Sequence, residues 1–411
     1  MSKRHAGLWS SVVLLGLTTI GAYGVAYYAI GVLIPAIADD TGWRAGTLAS
    51  AFSLGLLLQG GVALGLGRVF DRWGSVLAFG ISLAVGAPLL FVASFAAEAW
   101  QFILAWTLGA ASIGGGLYYN VTMPALGRLF ADRRATALSG LTLLGAFASP
   151  IFYPLTAALI ESMGWRSTLR VLVALLVVIV LPAVLLVRAS GGGSPRVRAP
   201  GGSFVTALRA PPVYRALMVV ALAAFANSAV MLHQISIMEA TGLSLAAASG
   251  YAGLKGFCQL PGRVTLSPLL RLMSLRALMA TCYVLATTSV LALLFALDAG
   301  NTTVLLIYFT VVSGVSLGLM SPLSGLFQAE VYGEKRLGTL SGVNVIVVSV
   351  AGAAGSWLGG ISLDATSSFH LLLAGAMVFQ LAAVAALRWQ ASASNSLADS
   401  HDPEAALTTT T

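Results

Sequence analysis

Long apolar runs separated by short polar breaks dominate the chain. Twelve of them stand out, at roughly 9–34, 46–66, 76–97, 99–124, 137–160, 167–188, 214–240, 245–269, 276–298, 301–325, 337–361 and 368–389. None shows the strict alternation of a half-buried strand, and about 20 apolar residues in a helix cross the hydrocarbon core of a bilayer. In lipid every backbone N–H and C=O needs an internal partner, which a helix supplies within one segment. The pattern predicts an all-α polytopic membrane protein of twelve transmembrane helices, spans 1 to 12 below. Lys3 and Arg4 precede the first run as they would in a secretory signal. That run, however, far exceeds the about 7–15 apolar residues of a signal core, so span 1 is read as a membrane helix.

The polar breaks divide the chain. Residues 1–188 hold six spans and residues 214–390 another six; residues 189–213, rich in Gly, Pro and Arg, read as a linker, and 391–411 as a disordered tail. The halves repeat one another. Gln59 is followed by GRVFDRWG (67–74) and Gln259 by SPLLRLMS (267–274), an offset of 200; DRRATALSG (132–140) answers EKRLGTLSG (334–342) at 202. Two matches at nearly one offset imply a parallel duplication.

Composition sharpens this picture. Only 9% of the 411 residues are charged and 58% are hydrophobic, against about 25% and 45–50% in soluble domains. There is too little polar surface for an ordinary soluble enzyme. The net charge of +8 could signal nucleic acid, but its distribution says otherwise. Of the 22 Lys and Arg, all fall in segments on the N-terminal side except Arg44, Arg166, Arg170 and the intramembrane Lys255. By the positive-inside rule both termini are expected in the cytoplasm, in a cell inner (plasma) membrane. Cys258 and Cys282 lie in apolar runs without metal spacing and read as small hydrophobes.

The loop GRVFDRWG resembles the signature between helices 2 and 3 of the major facilitator superfamily, with Ser75 where the family usually has Arg. Together with the helix count, linker and repeat, this resemblance implies the major facilitator fold, two six-helix halves. Gly67, Asp71, Arg72 and Gly74, with Arg133 and Arg134 as partners, are then expected to form a conformational-switch loop. Gly67 would allow close helix contact, and Asp71 would pair with a neighbouring Arg or a helix N-terminus. A finer resemblance, to monocarboxylate transporters and oxalate/formate exchangers, rests on Tyr119, Asn120 and GRLFADRRATALSGL (127–141), and on GFCQLPGRVTLSPLL, which puts Arg263 where those carriers hold a substrate-binding Arg. Gln259 replaces their Asp, and their helix 1 Lys is missing.

The intramembrane polar residues point to the same region. An ionisable group in the bilayer core costs at least about 2.5–3.5 kcal/mol and is expected to face a cavity. Lys255 and Arg263 both lie in span 8, and on an unbroken helix eight residues set them about 80° apart, along one flank. No Asp or Glu lies in the centre of any predicted span. Two cations without an internal counter-ion suit an anion, which Arg can hold through two parallel hydrogen bonds. Around them we expect a substrate site of Arg263, Lys255, His233, Gln234, Asn227, Tyr118, Tyr119, Asn120 and Tyr27, with His233 as candidate for proton coupling. Snorkelling of Arg263 to the headgroups and simple interhelical bonding by His233 are the structural alternatives.

Other patterns are coincidences of composition. Gly314 to Gly318 (GVSLG) fits a hydrolase elbow but lies inside an apolar helix. Gly61/Gly65 and Gly355/Gly359 are GxxxG spacings that permit close packing. There is no Walker motif and no HExxH. The expectation is a monomeric secondary transporter of a small organic anion, a monocarboxylate by resemblance, working by alternating access, coupled to protons or exchange. It needs no cofactor, metal or nucleic acid; its surroundings are the lipid bilayer. The alternatives are a drug or apolar-metabolite exporter, whose helix 5 signature is here only GAFASP (145–150), and a receptor, for which the linker and tail are too short to supply a signalling domain.

Overall fold

A computed structural model of the chain describes residues 3–129, 134–189, 211–299, 303–332 and 337–399. The described residues are almost entirely helical. Span 1 runs Lys3–Tyr23, through a π-helical turn Gly24–Tyr28, to Ala29–Thr41; span 2 is Ala45–Trp73 and span 3 Ser75–Ala93. Span 4 is Ala99–Leu117 followed by Tyr119–Leu129. Span 5 starts as Arg134–Gly145 and resumes in Ala148–Ala189, which also contains span 6. Gly164, at φ 73° and ψ 165°, divides those two, a backbone that favours glycine. Spans 7 to 12 are Pro211–Ala240, the pair Leu245–Phe257 and Gln259–Leu272, Leu275–Ala299, Thr303–Tyr332, Leu337–Thr366 and His370–Asp399.

Ten described helices are long and apolar enough to cross a membrane. One of them, Thr136–Leu185, is the bent pair of spans 5 and 6, and span 8 falls outside the ten because it is interrupted. The total is therefore the twelve expected. Several helices outrun their apolar cores; span 1 reaches Thr41 and span 2 Trp73, because a helix continues past the hydrocarbon boundary once its polar side chains reach water. Span 12 likewise continues to Asp399 into the expected disordered tail. The linker from 190 to 210 and the tail from 400 lie outside the described residues. Large apolar side chains such as Val178, Phe295 and Val378 are more than half exposed around the bundle, as a lipid-facing surface requires.

With twelve spans, Lys3 and Asp399 lie on one face, here the terminal face; the other is the distal face. The halves touch mainly towards the distal face. There Arg44 Nε lies 3.4 Å from Asp364 Oδ2, and the Gly46 amide donates to Asp364 Oδ1 at 3.1 Å. A Cβ on Gly46 would collide with Gly360, so spans 2 and 11 meet backbone to backbone. Further along, Ser53 and Ser356 share a hydrogen bond of 2.7 Å, and Gly60 would still meet Ser349 at 3.7 Å. Beyond that point Gly61, Gly65, Gly67 and Gly342 have no neighbour within 4 Å of a Cβ position. Spans 2 and 11 therefore part towards the terminal face, whereas spans 5 and 8 stay in contact there through Phe147 and Phe257 and through Arg263 and Thr142. Close helix contact at Gly67 and at the Gly61/Gly65 spacing is not found, because span 2 has left span 11 by then.

Candidate functional site

Three spans that carry expected site residues are locally irregular, and each irregularity has a cause in the sequence. In span 8, Pro261 has no N–H for the Phe257 carbonyl, and the helix breaks at Cys258. In span 4 the run Gly114–Gly116 leads to a break at Tyr118, and Asn120 Nδ2 donates to the freed Gly115 carbonyl at 2.9 Å. In span 1 the π turn contains Tyr27 and Tyr28. Such turns are frequent at functional sites.

Two cavities flank span 7. One, of 310 Å³, lies between the halves and is walled by Tyr23, Tyr27, Gln59 and Tyr118 from the first half and by Asn227, Asn344 and Ser349 from the second. Tyr23 and Tyr118 stack with centroids 3.9 Å apart. The other, of 250 Å³, lies within the second half among spans 7, 8, 9, 10 and 12; Asn227, Lys255, Tyr283, Ser289, Ser313 and Gln380 belong to its wall, and no Asp or Glu does. Asn227 borders both.

Lys255 reaches the second cavity because span 10 packs tightly on span 8. A Cβ on Gly314 would press against the Lys255 carbonyl at 2.6 Å, and one on Gly318 would collide with Gln259. The side chain is buried; Nζ donates to Gln234 Oε1 at 3.2 Å and sits 4.8 Å from the Phe309 ring centre. Gln234 Nε2 in turn donates to the Tyr153 hydroxyl in span 5 at 2.7 Å. Lys255 occupies the last turn of Leu245–Phe257, where the negative end of the helix dipole favours a cation. The break in span 8 thus supplies a partial counter-charge where no carboxylate is present.

The other expected residues divide differently. Arg263 is half-buried, lines neither cavity, and joins the halves: Nη1 donates to the Thr142 carbonyl of span 5, and its side chain lies near Tyr119 of span 4. His233 Nε2 lies 3.2 Å from the Ser356 carbonyl. Because a carbonyl only accepts, Nε2 carries the proton, and the ring braces span 7 against span 11, outside both cavities. Asn120 completes the span 4 break. Of the switch loop, Gly74 ends span 2 at φ 89° and Arg72 lies over the Trp73 ring. The side chains of Asp71 and Arg134, and all of Arg133, lie outside the described residues.

Sequence reasoning passed over Gln380, Phe309 and Tyr153. Gln380 left a usable signal, a single amide in the otherwise apolar run 376–387. Phe309 and Tyr153 left none, since aromatic residues in membrane helices usually serve packing.

The profile of the Major Facilitator Superfamily matches residues 16–356. The chain belongs to this superfamily. Among solved structures, a point mutant of the nucleoside transporter NupG superposes with a TM-score of 0.74 at 14% identity, covering 93% of this chain and 99% of that one. A bacterial homologue of the human lysosomal transporter Spinster, inward-facing and unoccupied, gives 0.62 at 13%, covering 96% of each chain. These likenesses show the fold. In sequence, 220 residues are 29% identical to a chloramphenicol resistance protein of Streptomyces lividans, spanning 51% of this chain and about half, 52%, of that relative. A major facilitator protein is a transporter, not an enzyme: it moves a solute and leaves it chemically unchanged.

Proposed function

We propose that this major facilitator protein is a secondary transporter of a small organic anion, bound at Lys255 and carried by alternating access. The observation that supports the reading is a buried ammonium on the wall of a cavity without an acidic residue, hydrogen-bonded among the described residues to a neutral amide. A buried cation without a paired anion is costly, and an anionic substrate removes that cost when it binds. In this reading the termini are cytoplasmic, as the basic residues favour, in a plasma membrane. The gap between spans 2 and 11 towards the terminal face then lies on the cytoplasmic side. Arg263, by its contact with Thr142, serves the joint between the halves. His233 holds spans 7 and 11 together.

Exporter function is a second reading. The similarity to a chloramphenicol resistance protein and the mostly apolar wall of the Lys255 cavity favour it. Counterflow in proteoliposomes separates the two. Saturable exchange of labelled carboxylates supports anion transport, whereas resistance of expressing cells to hydrophobic drugs, with no carboxylate exchanged by the purified protein, replaces it by export.

A further inference from the structure

Though mostly apolar, the wall of the Lys255 cavity carries a set of hydrogen-bonding groups, the donors Asn227, Tyr283, Ser321 and Ser324 as well as acceptors. Ser289 donates to the Ala286 carbonyl at 2.7 Å, Ser313 to Phe309 at 2.5 Å and Ser316 to Val312 at 2.8 Å. With their protons committed to their own helix, these hydroxyls offer the cavity lone pairs only. Gln380, on span 12, is buried, and its Oε1 has no hydrogen-bond partner among the described residues. A buried acceptor left unpaired costs roughly 1–3 kcal/mol, a cost that a donor reaching it from the cavity removes. Opposite stands a single cation, Lys255, with one of its protons directed to Gln234.

An unsubstituted carboxylate satisfies Lys255 and leaves the rest of these groups, donors and acceptors alike, facing only carbon. From this polar lining we infer that the substrate is a polyhydroxylated carboxylate, its anionic end at Lys255 and its hydroxyls, each both donor and acceptor, meeting Gln380, the serine oxygens and the donors beside them. The inference rests on the anion reading above and narrows it. A site built to hydrogen-bond hydroxyls discriminates strongly against the analogue that lacks them.

Gluconate and hexanoate, both six-carbon acids, test it. Binding to the full-length purified protein is measured by titration calorimetry, and each acid is used to compete with labelled gluconate in counterflow. Gluconate is expected to bind at least about tenfold more tightly than hexanoate, and Gln380→Leu to shrink that ratio by about tenfold. Ser313→Ala, which deletes one acceptor with little change of volume, is expected to shrink it about threefold and serves if Gln380→Leu does not fold. Equal binding of the two acids, or an unchanged ratio in a folded variant, overturns the inference while leaving anion transport standing. Failure of both acids, and of every other carboxylate tried, overturns the anion reading and the inference with it.

Discussion

Spans 2 and 8 descend from the same position in the duplicated halves, yet they differ where it matters. Span 2 is one unbroken helix, Ala45–Trp73, whereas span 8 breaks at Cys258. At the offset of 200, Gly55 faces Lys255, Gly61 faces Pro261 and Ala63 faces Arg263. Gln59 and Gln259 are kept, each against a glycine of a neighbouring span, Gly114 and Gly318. The duplication supplies a frame, a helix packed on a neighbour's glycine, through the side chain at Gln59 and through the backbone at Gln259. One proline and two cations set the second copy apart: the break places Lys255 on a cavity wall and Arg263 against span 5.

The largest effect is expected where span 8 needs its neighbour closest. Gly318→Leu forces a side chain into the Gln259 backbone and is predicted to destabilise the protein by about 2–3 kcal/mol in detergent melts. Gly61→Leu on span 2, with no neighbour within 4 Å, should stay within about 0.5 kcal/mol of wild type. If both melt alike, the packing difference between the two spans is void.

Lys255→Met, closer to the Gly55 state, should raise KM for a transported carboxylate at least about 30-fold, the size expected on removing one member of a buried charge pair. An unchanged KM in counterflow removes Lys255 from the site. Arg263→Ala copies Ala63 and takes away an inter-half contact; it should lower kcat about fivefold and leave KM within about twofold. A KM raised tenfold instead would return Arg263 to the substrate. The smallest effect is expected from Pro261→Ala, which restores the main-chain donor in span 8. Stability should rise by about 1 kcal/mol, and carboxylate binding should weaken a few-fold as Lys255 turns on its helix.

These expectations also show what was legible in the sequence. The spans were readable because lipid forces every segment into helix and punishes charge, so hydropathy alone locates them. Lys255 was readable for the same reason. Its relation to Arg263 was not, since the 80° between them assumes an unbroken helix; the break at Cys258 sends Lys255 to a cavity and Arg263 to span 5. Pro261 carried that information and went unused. The GVSLG run was rightly not a hydrolase elbow, but its glycines are what bring span 10 onto span 8. Gly67 and the Gly61/Gly65 pair failed for another reason: spacing shows where contact is permitted, and only the partner's path decides whether it occurs. The second pair, Gly355 and Gly359, does meet Phe225 and His233.

The backbone contact of Gly46 with Gly360 has a mechanical consequence. It lies at one extreme of a stiff helix that runs on to Trp73, ~40 Å away at 1.5 Å per residue. In the proposed alternating access, spans 2 and 11 would be a pair of levers whose tightest joint, two glycines thick, lies at this end of a contact that runs on to Gly60. A swing of only ~10° about that joint displaces the far tip by ~7 Å, about the width of a small acid. Most of the molecule can then travel as rigid arms while a few residues near the distal face bend.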